Sequence, residues 1–333
     1  MQIVTFPPAL IEAHLADVRA LLEHGQVAEG RFFGELGGTY VRDRQSIPVA
    51  SGGAAIFAVL AHHQHVHGRK VAIIQSNTMR ALYTVPTLLG MKTVVVPSSY
   101  EDFLSMSPTA LEQVLADPAL RAQAVVVYSV IGGYLAPSFA EVASLCRRFE
   151  VPLLVDGAHA HYLDGILATP EVDVAYSFYA TKVLPAGEGG LIATADSARY
   201  AWLKRFLIYD RFQNQLEIGL NLRASEPTAA LIHRLMTDSR CVQHFKHDRV
   251  TLAERYRAVC REYGIRHLAP EAAAGYNGYK FIVLDPFEQV AAHGTLLTEH
   301  RPTSAVFDTD VLGAPTTLRH WCPPTYASLL RAP

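Results

Sequence analysis

An excess of charge of either sign is missing from this chain. Its 333 residues carry 29 Lys+Arg against 31 Asp+Glu, and only 18% are charged. That balance gives no electrostatic footprint for nucleic acid or an anionic membrane surface. Long hydrophobic runs are missing too: no stretch approaches the ~20 apolar residues that a membrane span needs. The opening MQIVTFPPALIEAHLADVRALL has neither a basic n-region nor an apolar h-region, so it does not read as a signal peptide. Cysteine is scarce. Cys146, Cys241, Cys260 and Cys322 form no CxxC pair, which argues against a zinc knuckle or a disulfide framework and for a reduced, cytoplasmic protein. GxGxxG and GxxxxGK[ST] are absent, so dinucleotide and P-loop binding are disfavoured. No internal repeat or low-complexity tract occurs.

What is present is apolar. Half of the residues are hydrophobic, which excludes a disordered chain. The length exceeds the ~250–300 residues at which one core usually stops growing, so a large domain and a smaller one are expected. The apolar fraction also hints at a buried subunit interface.

Short Val/Ile/Leu runs predict strands at 71–75, 93–97, 124–130, 151–158, 172–178 and 191–195. They are continuous rather than alternating, as in a parallel sheet covered on both faces. Amphipathic stretches between them predict helices: GGAAIFAVLAHH, TMRALYTVPTLLG, SPTALEQVLAD and SFAEVASLCRRF. The βαβα order implies right-handed crossovers and a doubly wound layer. The run at 191–195 follows 172–178 with no room for a helix, which suggests an antiparallel addition. Residues 224–261 read as long helix, followed by a strand, YKFIVL, and a polar, Pro-rich end. The division drawn from this shift is a large domain at 25–239 and a small C-terminal domain at 240–333, joined by the N-terminal helix near 8–24.

Ligands of a doubly wound sheet bind beyond the C-terminal strand ends, and three segments qualify. Ser51-Gly52-Gly53-Ala54-Ala55 opens a helix, where exposed N–H groups and the helix dipole suit an anion. Asp156-Gly157-Ala158-His159 ends a strand, where the Asp is a ligand-facing carboxylate or a turn and cap residue. Ser177 to Lys182, followed by Gly187-Glu188-Gly189-Gly190, puts a lysine beside small residues. It is an ordinary surface lysine or a desolvated, nucleophilic one. Taken together, an anion cradle, a strand-end Asp and a strand-end Lys suit pyridoxal phosphate (PLP).

These segments resemble the DegT-type sugar aminotransferases among the fold type I PLP enzymes. SGGAAI is similar to that family's phosphate motif and QSNTMRALYTVPTLLG to its cofactor-stacking segment. VDGAHAHYLDG is similar to its Asp-x-Ala-His/Gln segment, SFYATKVLPAGEGGLI to its Lys element and GLNLRASEPTAAL to its Asn-x-Arg-x-Ser-Glu helix start. The resemblance covers about Phe33 to Leu231 and is most specific around Lys182. It implies an aspartate-aminotransferase-like α/β fold: a mostly parallel sheet in a three-layer sandwich, with a small C-terminal α+β domain. It also implies roles. Lys182 forms the Schiff base and shuttles the proton, Asp156 pairs with the pyridine nitrogen, and His159 lies against the ring. Ser177 and the backbone of Gly52, Gly53 and Ala54 hold the phosphate. Asn221 reaches the phosphate from a second subunit, in a homodimer with shared active sites. The family's phosphate-loop Thr is Gly53 here, and its ring-stacking aromatic is Met79.

The resulting expectation is a PLP-dependent aminotransferase that moves an amino group from glutamate or glutamine to a ketone: a keto-sugar, a cyclitol or a related biosynthetic intermediate. A PLP lyase, decarboxylase or dehydratase and a non-catalytic sensor remain as alternatives. Tyr179, Arg223 and His320 are substrate candidates. Arg31 and Arg44 read as solvated or structural. No metal is expected: His62, His63, His65 and His67 end a helix without the Glu of HExxH.

Overall fold

The uninterrupted Val/Ile runs form the inner strands of one sheet. The computed structural model describes residues 5–39, 44–99, 104–169, 171–208, 218–268, 275–283, 302–305 and 325–328. The strands are β1 (Gln45–Val49), β2 (Val71–Gln75), β3 (Lys92–Val96), β4 (Ser98–Ser99), β5 (Ser105–Met106), β6 (Ala124–Ser129), β7 (Leu153–Asp156), β8 (Asp173–Ser177), β9 (Gly190–Thr194), β10 (Lys280–Val283), β11 (Pro302–Ala305) and β12 (Thr325–Ser328). Seven of them make the main sheet, in the order β1-β9-β8-β7-β6-β2-β3. Strands β3, β2, β6, β7 and β8 run parallel. Strand β9 returns antiparallel on β8, the predicted addition, and β1 pairs antiparallel with β9. Every residue of β2, β6, β7, β8 and β9 is buried, which is why these runs do not alternate.

The helices are α1 (Pro8–His24), α2 (Arg31–Thr39), α3 (Gly52–His67), α4 (Ala81–Leu88), α5 (Pro108–Leu115), α6 (Pro118–Arg121), α7 (Phe139–Arg148), α8 (Asp164–Leu167), α9 (Ser197–Ile208), α10 (Glu226–Thr237), α11 (Ser239–Val242) and α12 (Asp248–Glu262). Helix α3 is apolar nearly all round. Ala55, Ala58, Val59 and Leu60 are fully buried, and small residues let it lie close between the sheet and α9. The helix expected over 224–261 is broken. Asp238 takes an extended conformation and caps α11 by accepting from Arg240 N at 2.9 Å, and a π-turn at Gln243–His247 precedes α12. An Asp that offers its carboxylate to a new helix start competes with helix continuation.

A second cluster of buried residues, including Tyr134, Tyr256, Tyr276, Phe281 and Ile282, sits apart from the main core. It joins α12 and β10 to the turn after β6. Helix α1 lies along α10, where Arg234 Nε and Nη2 donate to Asp17 Oδ2 and Oδ1 at 2.6 and 2.8 Å. Phe6 packs edge-on against Phe245 of the π-turn, with centroids 6.1 Å apart. No helix among the described residues is long and apolar enough to cross a membrane.

Glu226 shows how one side chain holds two segments. It is fully buried and accepts from Gly30 N, Phe32 N and Phe33 N at 2.9, 2.5 and 3.2 Å, so it caps α2 from the first turn of α10. Replacing Glu226 by alanine leaves these N–H groups without a partner and lowers stability by about 2–3 kcal/mol, which urea unfolding of the purified protein measures.

Candidate active site

Register brings the strand ends together. Ser129 of β6 pairs with Asp156 of β7, Asp156 with Ala175 of β8, and Ser177 of β8 with Gly190 of β9. The polar residues that end these strands therefore share one edge of the sheet. Asp156 is buried, and its Oδ1 accepts from Ala158 N at 3.1 Å. Burial raises its carboxyl above the ordinary range, opposed by that N–H and by the charge of Lys182.

Lys182 follows β8 in a turn closed by its own N–H on Tyr179 O at 2.8 Å. Its side chain is buried, and Nζ lies 3.1 Å from His159 Nε2. Burial pushes the amine below its ordinary value, although Asp156 acts the other way. His159 is held neutral, chiefly by burial and then by Lys182 and Lys280, with the Val130 carbonyl opposing. Gly132 N–H donates to His159 Nδ1 at 3.2 Å. Whichever ring nitrogen carries the proton, His159 Nε2 and Lys182 Nζ are within hydrogen-bond distance, and burial favours the uncharged amine over its usual ammonium form.

Beside it lies an anion cradle. Ser51 caps α3 by accepting from Ala54 N at 3.1 Å. A Cβ on Gly52 would lie 2.7 Å from Ser177 Cβ, and one on Gly190 would lie 2.4 Å from Ser51 O. Both positions require glycine because the helix start is pressed onto the ends of β8 and β9. Gly53 differs: a Cβ there would find nothing nearer than Ser51 Oγ at 3.7 Å, so its side is open.

Several site residues come from beyond residue 240 and carry no motif in the sequence. Asn277 is fully buried. Its Nδ2 donates to His159 O and His161 O at 2.7 and 2.8 Å, and its Oδ1 accepts from Tyr279 N at 3.1 Å. Tyr279 packs its ring 4.6 Å from that of His159 and donates its hydroxyl to Thr181 O at 2.8 Å. Burial pushes that phenol up to about 12, so it stays a donor. Arg249 of α12 donates to Val183 O at 3.0 Å. Lys280 is pushed down to about 8 by burial, then by the charges of Lys182 and Arg249. The only local sign was the GYNGYK stretch, where Gly278 takes a φ of 78° against Arg249.

Other expected residues stand apart. Met79 is 49% exposed and Tyr179 is 47% exposed. Asn221 is exposed, and its Oδ1 accepts from Arg223 Nη1 at 2.8 Å while Arg223 Nε pairs with Glu29 at 2.7 Å. Arg31 is exposed and pairs with Glu35. Arg44 is structural and donates to the carbonyls of Val172, Thr169 and Leu167. His320 lies outside the described residues. A cavity of about 480 Å³ lined by Cys146, Asp173 and Arg199 opens at the opposite, amino-terminal ends of β7 and β8, away from Lys182.

The sequence profile of the DegT/DnrJ/EryC1/StrS aminotransferase family matches residues 8–308. The chain belongs to this family. The L-glutamine:2-deoxy-scyllo-inosose aminotransferases of Micromonospora echinospora and Streptomyces paromomycinus are 28% and 27% identical over 60% and 67% of the chain. Those alignments take in 46% and 50% of the relatives, so the chain spans about half the length of the curated relatives it matches. Among solved structures, 3-amino-5-hydroxybenzoic acid synthase superposes with a TM-score of 0.76 over 99% of this chain and 95% of that one, at 20% identity. Helicobacter pylori PseC, an aminotransferase of pseudoaminic acid biosynthesis, gives 0.77 over 98% and 92%, at 16%. Bacillus subtilis NtdA with bound PMP gives 0.74 over 90% and 71%, at 19%. The fold of this family member is that of the fold type I aminotransferases.

Proposed function

We propose that this chain is a PLP-dependent aminotransferase that takes an amino group from glutamine or glutamate and passes it to a ketone on a sugar or cyclitol ring. The observation that carries the reading is the buried Lys182 amine, 3.1 Å from His159 at the same sheet edge as the buried carboxyl of Asp156. The names of the cyclitol and sugar aminotransferases above support the acceptor class.

The residues present fit the cofactor. Gly52, which Ser177 leaves no room to replace, and the open N-terminus of α3 suit its phosphate. Asp156, buried at the end of β7 with Oδ1 accepting from Ala158 N, offers a carboxyl oxygen to a ring N–H that would meet it, and that positive partner would favour its ionised form. When bound, PLP supplies an electron sink for the carbon that loses or gains the amino group. The protein does the rest. Lys182 would hold the cofactor through its amine and then carry the proton to and from that carbon. Asp156 would pair with the ring nitrogen. His159, oriented by Gly132, would pack against the ring. Ser177 and the N–H groups of Gly52 and Gly53 would orient the phosphate, since Ala54 N already donates to Ser51 Oγ.

The same reading includes a homodimer in which Asn221, exposed on its own chain, reaches the partner's phosphate, with residues 25–239 holding the cofactor and 240–333 covering it. Tyr179, Arg223 and His320 remain its candidates for substrate contact, and Met79 its candidate for packing on the ring.

Incubation with L-glutamine or L-glutamate tests the reaction. The expected result is conversion of bound pyridoxal phosphate to pyridoxamine phosphate, seen by absorption, with one equivalent of 2-oxo acid. No conversion with either donor overturns the reading. The cradle has its own test. A Cβ at Gly53 meets nothing nearer than 3.7 Å, and Gly53→Thr adds a hydroxyl donor, so PLP is expected to bind several-fold more tightly. Gly52→Ala forces α3 off Ser177 and weakens binding by at least about tenfold. Fluorescence titration of the apoprotein with PLP measures both.

A further inference from the structure

One polar cluster lies outside this chemistry, at the other end of α3. His62, His63 and His67 each bring one ring nitrogen within 4.8 Å of the others. His63 and His67 are one helical turn apart and share a face. Helix α3 stops at His67, with Gly68 in the left-handed region at a φ of 64°, so the last turn is open to solvent. The rings crowd one another: centroids are 5.3 Å apart for His62–His63, 5.3 Å for His62–His67 and 5.8 Å for His63–His67.

Imidazole nitrogen is the commonest side-chain metal ligand, and two of the three rings, His62 and His63, are buried. Nδ1 of His62 and both ring nitrogens of His63 are buried with no hydrogen-bond partner, although His63 is only 1% exposed. Native interiors rarely leave such atoms unsatisfied. Asp173 lies behind them. Its Oδ2 is 3.9 Å from His63 Nε2 and 2.6 Å from Arg199 Nη1, and its Oδ1 is buried without a partner. The Arg199–Asp173 ion pair thus sets a negative charge beside the positive one behind the rings.

We propose that His62, His63 and His67 bind one divalent transition-metal ion of the zinc, cobalt or nickel class. Imidazole suits these ions, whereas magnesium and calcium demand oxygen ligands. Three ligands leave a fourth position, which faces solvent beside the exposed His67. Asp173 plays the outer-shell part that carboxylates commonly take behind ligating histidines. The ion closes the C-terminal turn of α3, the helix whose N-terminus forms the cradle, and so stabilises the fold without entering the Lys182 chemistry. The Glu of HExxH is missing, so this is not that metalloprotease motif.

Trp202 provides the reporter, because its ring centroid lies 5.1 Å from that of His62. The chain has two tryptophans, so Trp321→Phe leaves Trp202 alone. Cobalt(II) added to the PLP-loaded Trp321→Phe protein is expected to quench the remaining emission with a stoichiometry of one per chain. Zinc is expected to reverse the quenching and to raise the melting temperature. His67→Gln changes only the exposed ligand and should fold normally. It is expected to weaken cobalt quenching by at least about tenfold and to remove the thermal shift. Quenching that is absent, that zinc does not reverse, or that His67→Gln leaves unchanged overturns the proposal.

Discussion

Replacing Lys182 by alanine is expected to lower turnover at least about a thousandfold, measured as 2-oxo acid formed from L-glutamine under single-turnover conditions. In the proposed reaction the amine is both the nucleophile and the proton carrier, and it stands 3.1 Å from His159 Nε2. Lys182→Arg should fail equally, because a guanidinium stays protonated and cannot replace an amine as nucleophile. The variants should keep their fold and the anion cradle, so phosphate-dependent cofactor binding should survive while the Lys-linked visible absorption is lost. Retention of more than a tenth of wild-type turnover by Lys182→Ala would remove Lys182 from its assigned role.

Asn277→Leu is expected to have the largest effect on stability, about 3–5 kcal/mol, or roughly a 10 °C fall in melting temperature. The side chain satisfies two carbonyls of the His159–His161 segment and the N–H of Tyr279, all in a fully buried place. Leucine is of similar volume but leaves these groups unpaired, and the lost hydrogen bonds dominate. Asn277→Asp should be nearly as harmful, since a carboxylate cannot donate to the two carbonyls. Tyr279→Phe loses one hydrogen bond, to Thr181 O, and should cost only about 1 kcal/mol. Calorimetry on this series checks the order. Equal melting temperatures for Asn277→Leu and Tyr279→Phe would mean that Asn277 does not tie the segments together.

Much of the large sheet was legible because burial on both faces writes itself as continuous Val, Ile and Leu. The runs at 71–75, 124–130 and 172–178 each contain a strand. The antiparallel return of β9 was legible from the shortness of its connection. Strand β1 was not read as a strand: Gln45–Val49 is short, contains Pro48, and is held by β9 on one side and by a bridge from Val49 to Arg223 on the other. The break at Asp238 was also missed, since helical periodicity continues on both sides of it and only the capping role of the Asp interrupts it.

For the candidate site the division is similar. Asp156, His159, Ser177 and Lys182 sit in contiguous segments at the ends of buried strands, where the sheet's order alone puts them on one edge. Glu226 lies in a stretch the family resemblance covers, yet its work is to hold Gly30, Phe32 and Phe33, nearly two hundred residues away. Nothing in local pattern marks a cap for a distant helix.

By itself, then, the sequence determined the main run of the sheet, the strand-end Asp and Lys, the glycine-rich helix start and a net charge near zero. Each of these is a property of short segments: periodicity, run length or spacing. The tertiary structure alone decided that Lys182 is buried against His159, that Asn277 and Tyr279 fasten the C-terminal segment to His159, His161 and Thr181, and that three histidines at a helix end share one small volume with Asp173 behind them. These facts depend on desolvation and on contacts between segments distant in the chain, and neither is encoded in the order of neighbouring residues.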